Sequence, residues 1–191
     1  MFIFPDFVPQ GAAISYVSKQ TGLSCEILFM TTASKIMSKS LNAVEKNSFY
    51  DFSKTACETE NPDIIWQITQ VESNFKQQII LIDGKKLMTD EDAVNYLKKG
   101  LSKNSNVDIG PLQINWRANG SRWRYQPENF LDGGFSVHFL ADRILKTYVQ
   151  TCQGRWVECY HSYKKNLGED YSQKINKSGL LLRKLLAAFL Q

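Results

Sequence analysis

Residues 61–75 constrain the possible fold of this chain more than any other stretch of the sequence. Asn61 is suited to cap a helix, Pro62 to occupy its first position, and Asp63 to lie at the positive end of the helix dipole. Apolar residues then recur at spacings of three, four and seven. They are Ile65, Ile68, Val71 and Phe75. This period predicts an amphipathic helix with one buried face.

Glu72 falls on or beside that apolar face, near the predicted C-terminal end of the helix. Partial burial and the negative helix terminus both favour a protonated carboxyl group. We therefore expect the pKa of Glu72 to be raised, as a general acid requires. The alternative is a solvated Glu at the edge of an amphipathic helix, because Glu is rarely fully buried. The helix alone does not distinguish these two interpretations.

Composition excludes several classes of function. With 191 residues, 43% of them hydrophobic and 22% charged, the chain is expected to be globular, with one large domain or one domain and an extension. The net charge of +4 attracts anionic polymers weakly, and no basic run predicts nucleic-acid binding. Two histidines and four cysteines without a CxxC pair do not suit a zinc site. We therefore expect no metal and no cofactor.

The cysteines leave the cellular compartment open. They are Cys25, Cys57, Cys152 and Cys159. In an oxidising compartment they allow up to two disulfides in any connectivity, whereas a cytosolic protein would carry buried thiols. Residues 1–6 lack the basic and apolar regions of a secretory signal, and the apolar residues 27–30 are too few to span a bilayer. The sequence therefore does not define an export route.

Most of the remaining chain is predicted to be helical. Apolar spacing predicts helices over about residues 12–22, 24–45 and 49–58, as an extension that packs on the main domain or docks a partner. The β-branched run at residues 78–82 and the Asp83-Gly84 turn predict a two-stranded ribbon. A helix over about residues 90–99 follows, with Thr89 and Asp92 spaced as in a capping box.

The C-terminal third is predicted to hold four helices. The first covers about residues 132–151, where Gly133 and Gly134 allow close packing, and the second covers residues 156–163. A turn is expected at residues 166–168, the last helix of the main domain begins at Tyr171, and an apolar C-terminal helix follows it. Residues 180–190 are strongly apolar and are expected to pack back on the domain. A peripheral membrane contact is the alternative for this segment.

A second informative stretch is residues 107–116. Gly110 and Pro111 interrupt the backbone pattern, and apolar residues alternate with amides. Gln113 and Asn115 each carry a donor and an acceptor, which suits hydrogen bonds to sugar hydroxyl and acetamido groups. A short half-buried strand or turn with exposed amides is the simpler alternative.

Three short motifs occur in order: Glu72-Ser73-Asn74-Phe75, the residues 110–115 (Gly-Pro-Leu-Gln-Ile-Asn), and Tyr160-His161. They resemble the ESxF, G-L-M-Q-I-N and Tyr-Asn motifs of lysozyme-like lytic transglycosylases (SLT domains), in particular those associated with type IV secretion and conjugation systems. The resemblance covers about residues 57–178. It implies a mainly α, α+β lysozyme-like fold with a small β-ribbon and a substrate cleft.

The resemblance also implies a division of the chain and a reaction. Residues 1–56 would be a helical extension, residues 57–178 the transglycosylase domain and residues 179–191 an apolar C-terminal helix. Glu72 would be the only catalytic acid and base, cleaving the bond between N-acetylmuramic acid and N-acetylglucosamine to leave 1,6-anhydro ends. The residues that would orient this acid and bind the sugars are Ser73, Gln113, Asn115 and Tyr160.

The implied partners are peptidoglycan glycan strands and components of a type IV secretion system, in the periplasm or cell envelope. His161 replaces the family's Asn, which puts one sugar contact in question, and a lone His beside aromatic residues is more often structural. No nucleic acid is expected as a partner, and membrane contact is expected to be peripheral at most.

Two alternatives remain at the level of sequence. Asp108 begins a stretch that also resembles the D-Y-G-I-L-Q-I-N segment of animal-type lysozymes, which would make it a second carboxylate in a hydrolytic, retaining mechanism. The eight-cysteine framework of those lysozymes is absent from this sequence. The other alternative is a non-catalytic structural component of an envelope machine.

Overall fold

The computed structural model describes residues 8, 12–37, 41, 43–119, 125–147 and 165–191. The helices before the sheet are α1 (Ala13–Thr21), α2 (Cys25–Ser34), α3 (Ala43–Glu58) and α4 (Pro62–Ser73). The next elements are β1 (Ile79–Ile82), β2 (Lys86–Thr89), α5 (Asp90–Lys98), β3 (Val107–Ile109) and β4 (Ile114–Asn115). A 3-10 helix (Pro127–Leu131), α6 (Gly133–Phe139), a π-helical segment (Leu140–Leu145), α7 (Lys165–Leu186) and a 3-10 turn (Ala187–Phe189) complete the described chain. The predicted mainly α, α+β class is confirmed.

Helix α4 forms as its sequence predicts. The side-chain oxygen of Asn61 accepts a hydrogen bond from the Ile64 N–H at 3.3 Å, and Pro62 is the first helical residue. Asn74 ends the helix in the left-handed conformation and donates its N–H to the Gln70 carbonyl at 3.2 Å. Local capping signals at both ends therefore define where α4 begins and ends.

We expect the Asn61→Ala variant to lower the free energy of unfolding by about 1 kcal/mol, because the cap bond to the first turn of α4 is lost. Urea unfolding measures this change. The matched control is Thr89→Ala at the N-cap position of α5. The side chain of Thr89 makes no capping hydrogen bond among the described residues, so the predicted capping box is wrong. A loss as large for Thr89→Ala as for Asn61→Ala would contradict the cap assignment.

The sheet is larger than the predicted ribbon. Its strands lie in the order β2-β1-β3-β4 and all pairs are antiparallel. The β1–β2 hairpin turns at Asp83 and Gly84, which both have positive φ, as expected of this dipeptide. The stretch after residue 106 adds two strands because Val107 and Ile109 alternate with Asp108, which places both apolar side chains in the core.

Helices α1–α3 share one hydrophobic core with α4. An aromatic cluster joins α2 and α3 to the end of α4, and its members are Phe29, Phe49, Phe52, Trp66 and Phe75. α2 is shorter than the predicted residues 24–45, and the apolar Ile27 in its first turn is 49% exposed. Its face toward the core consists of Leu28, Phe29, Thr32 and Ala33.

The C-terminal region corrects two predictions. The predicted turn at residues 166–168 does not form, and residues 180–190 do not begin a separate helix, because α7 is continuous from Lys165 to Leu186. Its buried residues recur every three or four positions: Tyr171, Ile175, Ser178, Leu182 and Leu186. The helix thus continues through residues 166–168 despite the local preference of Asn-Leu-Gly for a turn. The division at residues 56 and 178 stays a prediction.

The predicted helix over residues 132–151 begins close to its expected position. Gly133 packs against the side chain of Phe52 so closely that an added Cβ would come within 2.8 Å of it, which confirms the expected close packing. After Phe139 the chain widens into a π-helical segment, Leu140–Leu145, which the sequence pattern does not predict. The predicted helix over residues 156–163 lies outside the described residues.

One disulfide joins Cys25, the first residue of α2, to Cys57, near the end of α3. This resolves the pairing of two of the four cysteines, whereas Cys152 and Cys159 lie outside the described residues. In the described part of the chain, no helix has both the length and the apolar composition needed to cross a bilayer.

Candidate active site

Glu72 lies in the last turn of α4, one residue before its end, as predicted. Its side chain is half-buried, and the neighbouring Ser73 is buried. Asn74 and Phe75 both have positive φ, with Phe75 fully buried directly after the helix. The capped helix and the buried Phe75 therefore fix the backbone on both sides of the Glu72 carboxyl group.

Burial raises the pKa of Glu72 from 4.5 to about 7. The Tyr171 side chain favours the ionised form and opposes this shift, the negative charge of Asp108 adds to it, and the positive charge of Lys174 opposes it weakly. The direction agrees with the expectation from sequence. At neutral pH a substantial fraction of Glu72 is therefore protonated, which is what a general acid needs.

Asp108 lies in the middle of β3, directly opposite Asn115 of β4. Its Oδ1 accepts a hydrogen bond of 2.7 Å from Asn115 Nδ2, which also donates to Asn106 Oδ1 at 3.0 Å. The Oδ1 of Asn115 accepts from the Ala118 N–H at 2.9 Å. Asn115 thus holds the Asp108 carboxylate in place, and its predicted sugar contact stays a prediction.

The side chains of two other predicted site residues also make hydrogen bonds within the protein. The Ser73 hydroxyl donates to the Thr69 carbonyl at 3.1 Å within α4, and Gln113 Nε2 donates to the Gly110 carbonyl at 2.9 Å. Gly110 has φ +75°, and a Cβ there would lie 1.9 Å from the Phe130 carbonyl oxygen. This loop therefore requires glycine at position 110. Tyr160 and His161 lie outside the described residues, so their predicted roles stay predictions.

Sequence reasoning missed the role of Tyr171, which it treated only as the start of a helix. Tyr171 is 2% exposed and brings its hydroxyl from α7 to Glu72 of α4. The available signal was its position on the apolar stripe of α7, because a buried Tyr hydroxyl usually has a hydrogen-bond partner. Its partner is 99 positions earlier in the chain, which no local pattern identifies.

Asp63 has a structural role that sequence reasoning also missed. It is 1% exposed, and its carboxylate accepts hydrogen bonds from the Ala13 N–H at 2.7 Å and the Ile14 N–H at 3.1 Å. Asp63 therefore caps α1 as well as lying in the first turn of α4. Within the described residues, no group of three or more His, Cys, Asp or Glu side chains is arranged to hold a metal ion.

We expect Asp108→Asn to lower the pKa of Glu72, because a negative charge that disfavours its ionisation is removed. Tyr171→Phe is expected to shift the pKa of Glu72 upward, because a hydroxyl group that favours the carboxylate is lost. Carbon NMR of the Glu72 carboxyl group across a pH titration measures both shifts. Asp142→Asn makes the same chemical change at an exposed position and serves as control. Shifts of the same sign in the two site variants would contradict this electrostatic account.

No family model, no curated protein and no solved structure matches this chain. The functional conclusion therefore depends on the geometry and electrostatics around Glu72.

Proposed function

We propose that the chain is a peptidoglycan lytic transglycosylase with a lysozyme-like fold. The observation that carries this proposal is the half-buried Glu72 at the end of α4, with a pKa of about 7. A carboxyl group of this kind is matched to proton transfer at neutral pH in both directions. The motif resemblance around Glu72 and residues 110–115 supports the same conclusion.

In the first step, protonated Glu72 donates its proton to the oxygen that links N-acetylmuramic acid to N-acetylglucosamine. The bond between this oxygen and muramic acid C1 breaks, and positive charge develops on the muramyl ring. The substrate's own acetamido group and the Asp108 carboxylate stabilise that charge. Asp108 also favours the protonated form of Glu72 before the reaction starts.

In the second step, the Glu72 carboxylate removes the proton of the muramyl 6-hydroxyl group while that oxygen bonds to C1. This closes the 1,6-anhydro ring, consumes no water and returns Glu72 to its protonated form. Between the two steps the Tyr171 side chain favours the ionised carboxylate. Tyr171 is therefore proposed as the residue that positions Glu72.

A hydrolytic lysozyme is the second candidate, since Asp108 is close enough for its charge to act on Glu72. In that mechanism Asp108 attacks or stabilises C1, and water completes the reaction. The bond from Asn115 to Asp108 fixes this carboxylate equally well for a stabilising or a nucleophilic role.

Analysis of the products distinguishes the two candidates. We expect purified peptidoglycan, digested with the full chain in oxygen-18-labelled water, to give anhydro-muramyl ends without the label, because no water enters the reaction. Mass spectrometry measures both the end groups and the label, and a digest with the Glu72→Gln variant provides the background. Labelled reducing ends would overturn the transglycosylase proposal and support the lysozyme.

The cell envelope is the proposed location, where the chain would open the wall for a type IV secretion or conjugation apparatus. The Cys25–Cys57 disulfide supports this location, because such bonds form and persist in oxidising compartments such as the periplasm. The partners in this proposal are glycan strands and components of the secretion apparatus.

A further inference from the structure

Helix α2 contacts the helix that carries Glu72 through a buried hydrogen bond. The indole Nε1 of Trp66 in α4 donates to the Thr32 hydroxyl oxygen at 3.0 Å, and both residues are fully buried. The Thr32 hydroxyl in turn donates to the Leu28 carbonyl of its own helix at 2.7 Å. A buried indole N–H needs an acceptor, so this bond fixes how α4 is oriented against α2.

The same helix also supports the end of α4. Phe29 of α2 makes an edge-to-face contact with Phe75, with ring centroids 6.3 Å apart, and Phe75 makes a second one with Trp66 at 5.2 Å. Phe75 follows Glu72 by three residues, where the chain leaves α4. α2 therefore contacts Trp66 within α4 and Phe75 just after it, which lie on either side of Glu72 in the sequence.

A covalent bond holds α2 in this position. The Cys25–Cys57 disulfide ties the first residue of α2 to the end of α3, four positions before the Asn61 cap of α4. Both cysteines are half-buried, so part of each residue is exposed to solvent. The disulfide closes a loop of 32 positions that contains both Phe29 and Thr32.

We propose that α2 is a positioning element of the Glu72 site, and that the Cys25–Cys57 disulfide holds it there, so that reducing this bond lowers the activity of a chain that stays folded. A dithiol reductant supplies two electrons and two protons. The sulfur–sulfur bond breaks, both cysteines become thiols, and the reductant forms its own disulfide. The catalytic activity of the site would then be low in a reducing compartment and full in an oxidising one.

The first experiment compares the oxidised full chain with the chain reduced by dithiothreitol, and peptide mapping of alkylated thiols identifies the bonds opened. Hydrogen exchange of residues 62–75 is expected to speed up by about tenfold on reduction, at unchanged far-ultraviolet circular dichroism. Peptidoglycan cleavage is expected to slow by about 10- to 100-fold and to recover on reoxidation. The Cys25→Ser/Cys57→Ser double variant should match the reduced chain and not respond to reductant.

Unchanged exchange on reduction overturns the proposal, and so does loss of the circular dichroism signal, which would make the bond a requirement for folding. The cleavage readout depends on the proposed function, but the exchange readout does not. Faster exchange without cleavage in either redox state would therefore support the role of α2 and overturn the transglycosylase proposal.

A second experiment tests the Thr32 bond without using redox chemistry. Thr32→Val removes the acceptor at similar volume and is expected to lower kcat by about tenfold with little change in KM, because Glu72 is misplaced rather than lost. Thr32→Ser keeps the hydroxyl and is expected to restore kcat. The matched control is Ser53→Ala in α3, whose buried hydroxyl donates to Phe49 of its own helix. Equal losses in Thr32→Val and Ser53→Ala would overturn the positioning role.

Discussion

Replacing Glu72 with Gln is expected to slow peptidoglycan cleavage by about 10²- to 10⁴-fold, because the proton donor and acceptor of both proposed steps is removed. Gln keeps the volume of Glu and retains a carbonyl oxygen, so the loss reports on chemistry rather than on packing. Release of soluble fragments from purified cell walls over time measures the rate.

The matched control for this prediction is Glu91→Gln, which makes the same change at an exposed position in the first turn of α5. Its cleavage rate should equal that of the wild type. If the Glu72→Gln variant also cleaves at the wild-type rate, the catalytic proposal fails, as does the lysozyme alternative, which needs the same acid. A non-enzymatic role in an envelope machine would then be the better hypothesis.

Helix α4 was predictable because its signals are local. Asn61 and Pro62 start the helix, and apolar residues at helical spacing fix its buried face, all within one stretch of the chain. The β1–β2 hairpin was predictable for the same reason, since Asp83 and Gly84 occupy positions with positive φ. The position of Glu72 at the end of α4 follows from these local rules.

The surroundings of Glu72 were less predictable, because they come from distant parts of the chain. Tyr171 of α7 and Asp108 of β3 reach Glu72 through tertiary packing, and only the second was a candidate from sequence. The backbone of α7 is helical through Gly168, whereas the local turn preference of residues 166–168 pointed to a break. Similarly, nothing near Asp63 indicates that its carboxylate caps α1, about 50 positions earlier in the chain.

The raised pKa of Glu72 leads to a second large prediction, which needs no substrate. A carboxyl group that ionises with a pKa of about 7 in the folded chain and 4.5 when unfolded destabilises the fold once it is charged. The effect is absent below pH 4.5, where both states are protonated, grows between pH 4.5 and 7, and is complete above pH 7. At that point it amounts to up to about 3 kcal/mol.

The Glu72→Gln variant carries no ionisable group at this position, so its free energy of unfolding should not decrease in this way as the pH rises. We expect it to match the wild type in thermal stability near pH 4 and to exceed it by roughly 5–10 °C at pH 8. Calorimetry at a series of pH values measures the difference, and Glu91→Gln again serves as control. The same burial that opposes the charge keeps the acid protonated, so the raised pKa of Glu72 and the loss of stability have one physical cause. A pH-independent difference between the variants would show instead that Glu72 acts on stability through packing, and its role as a tuned acid would lose its physical basis.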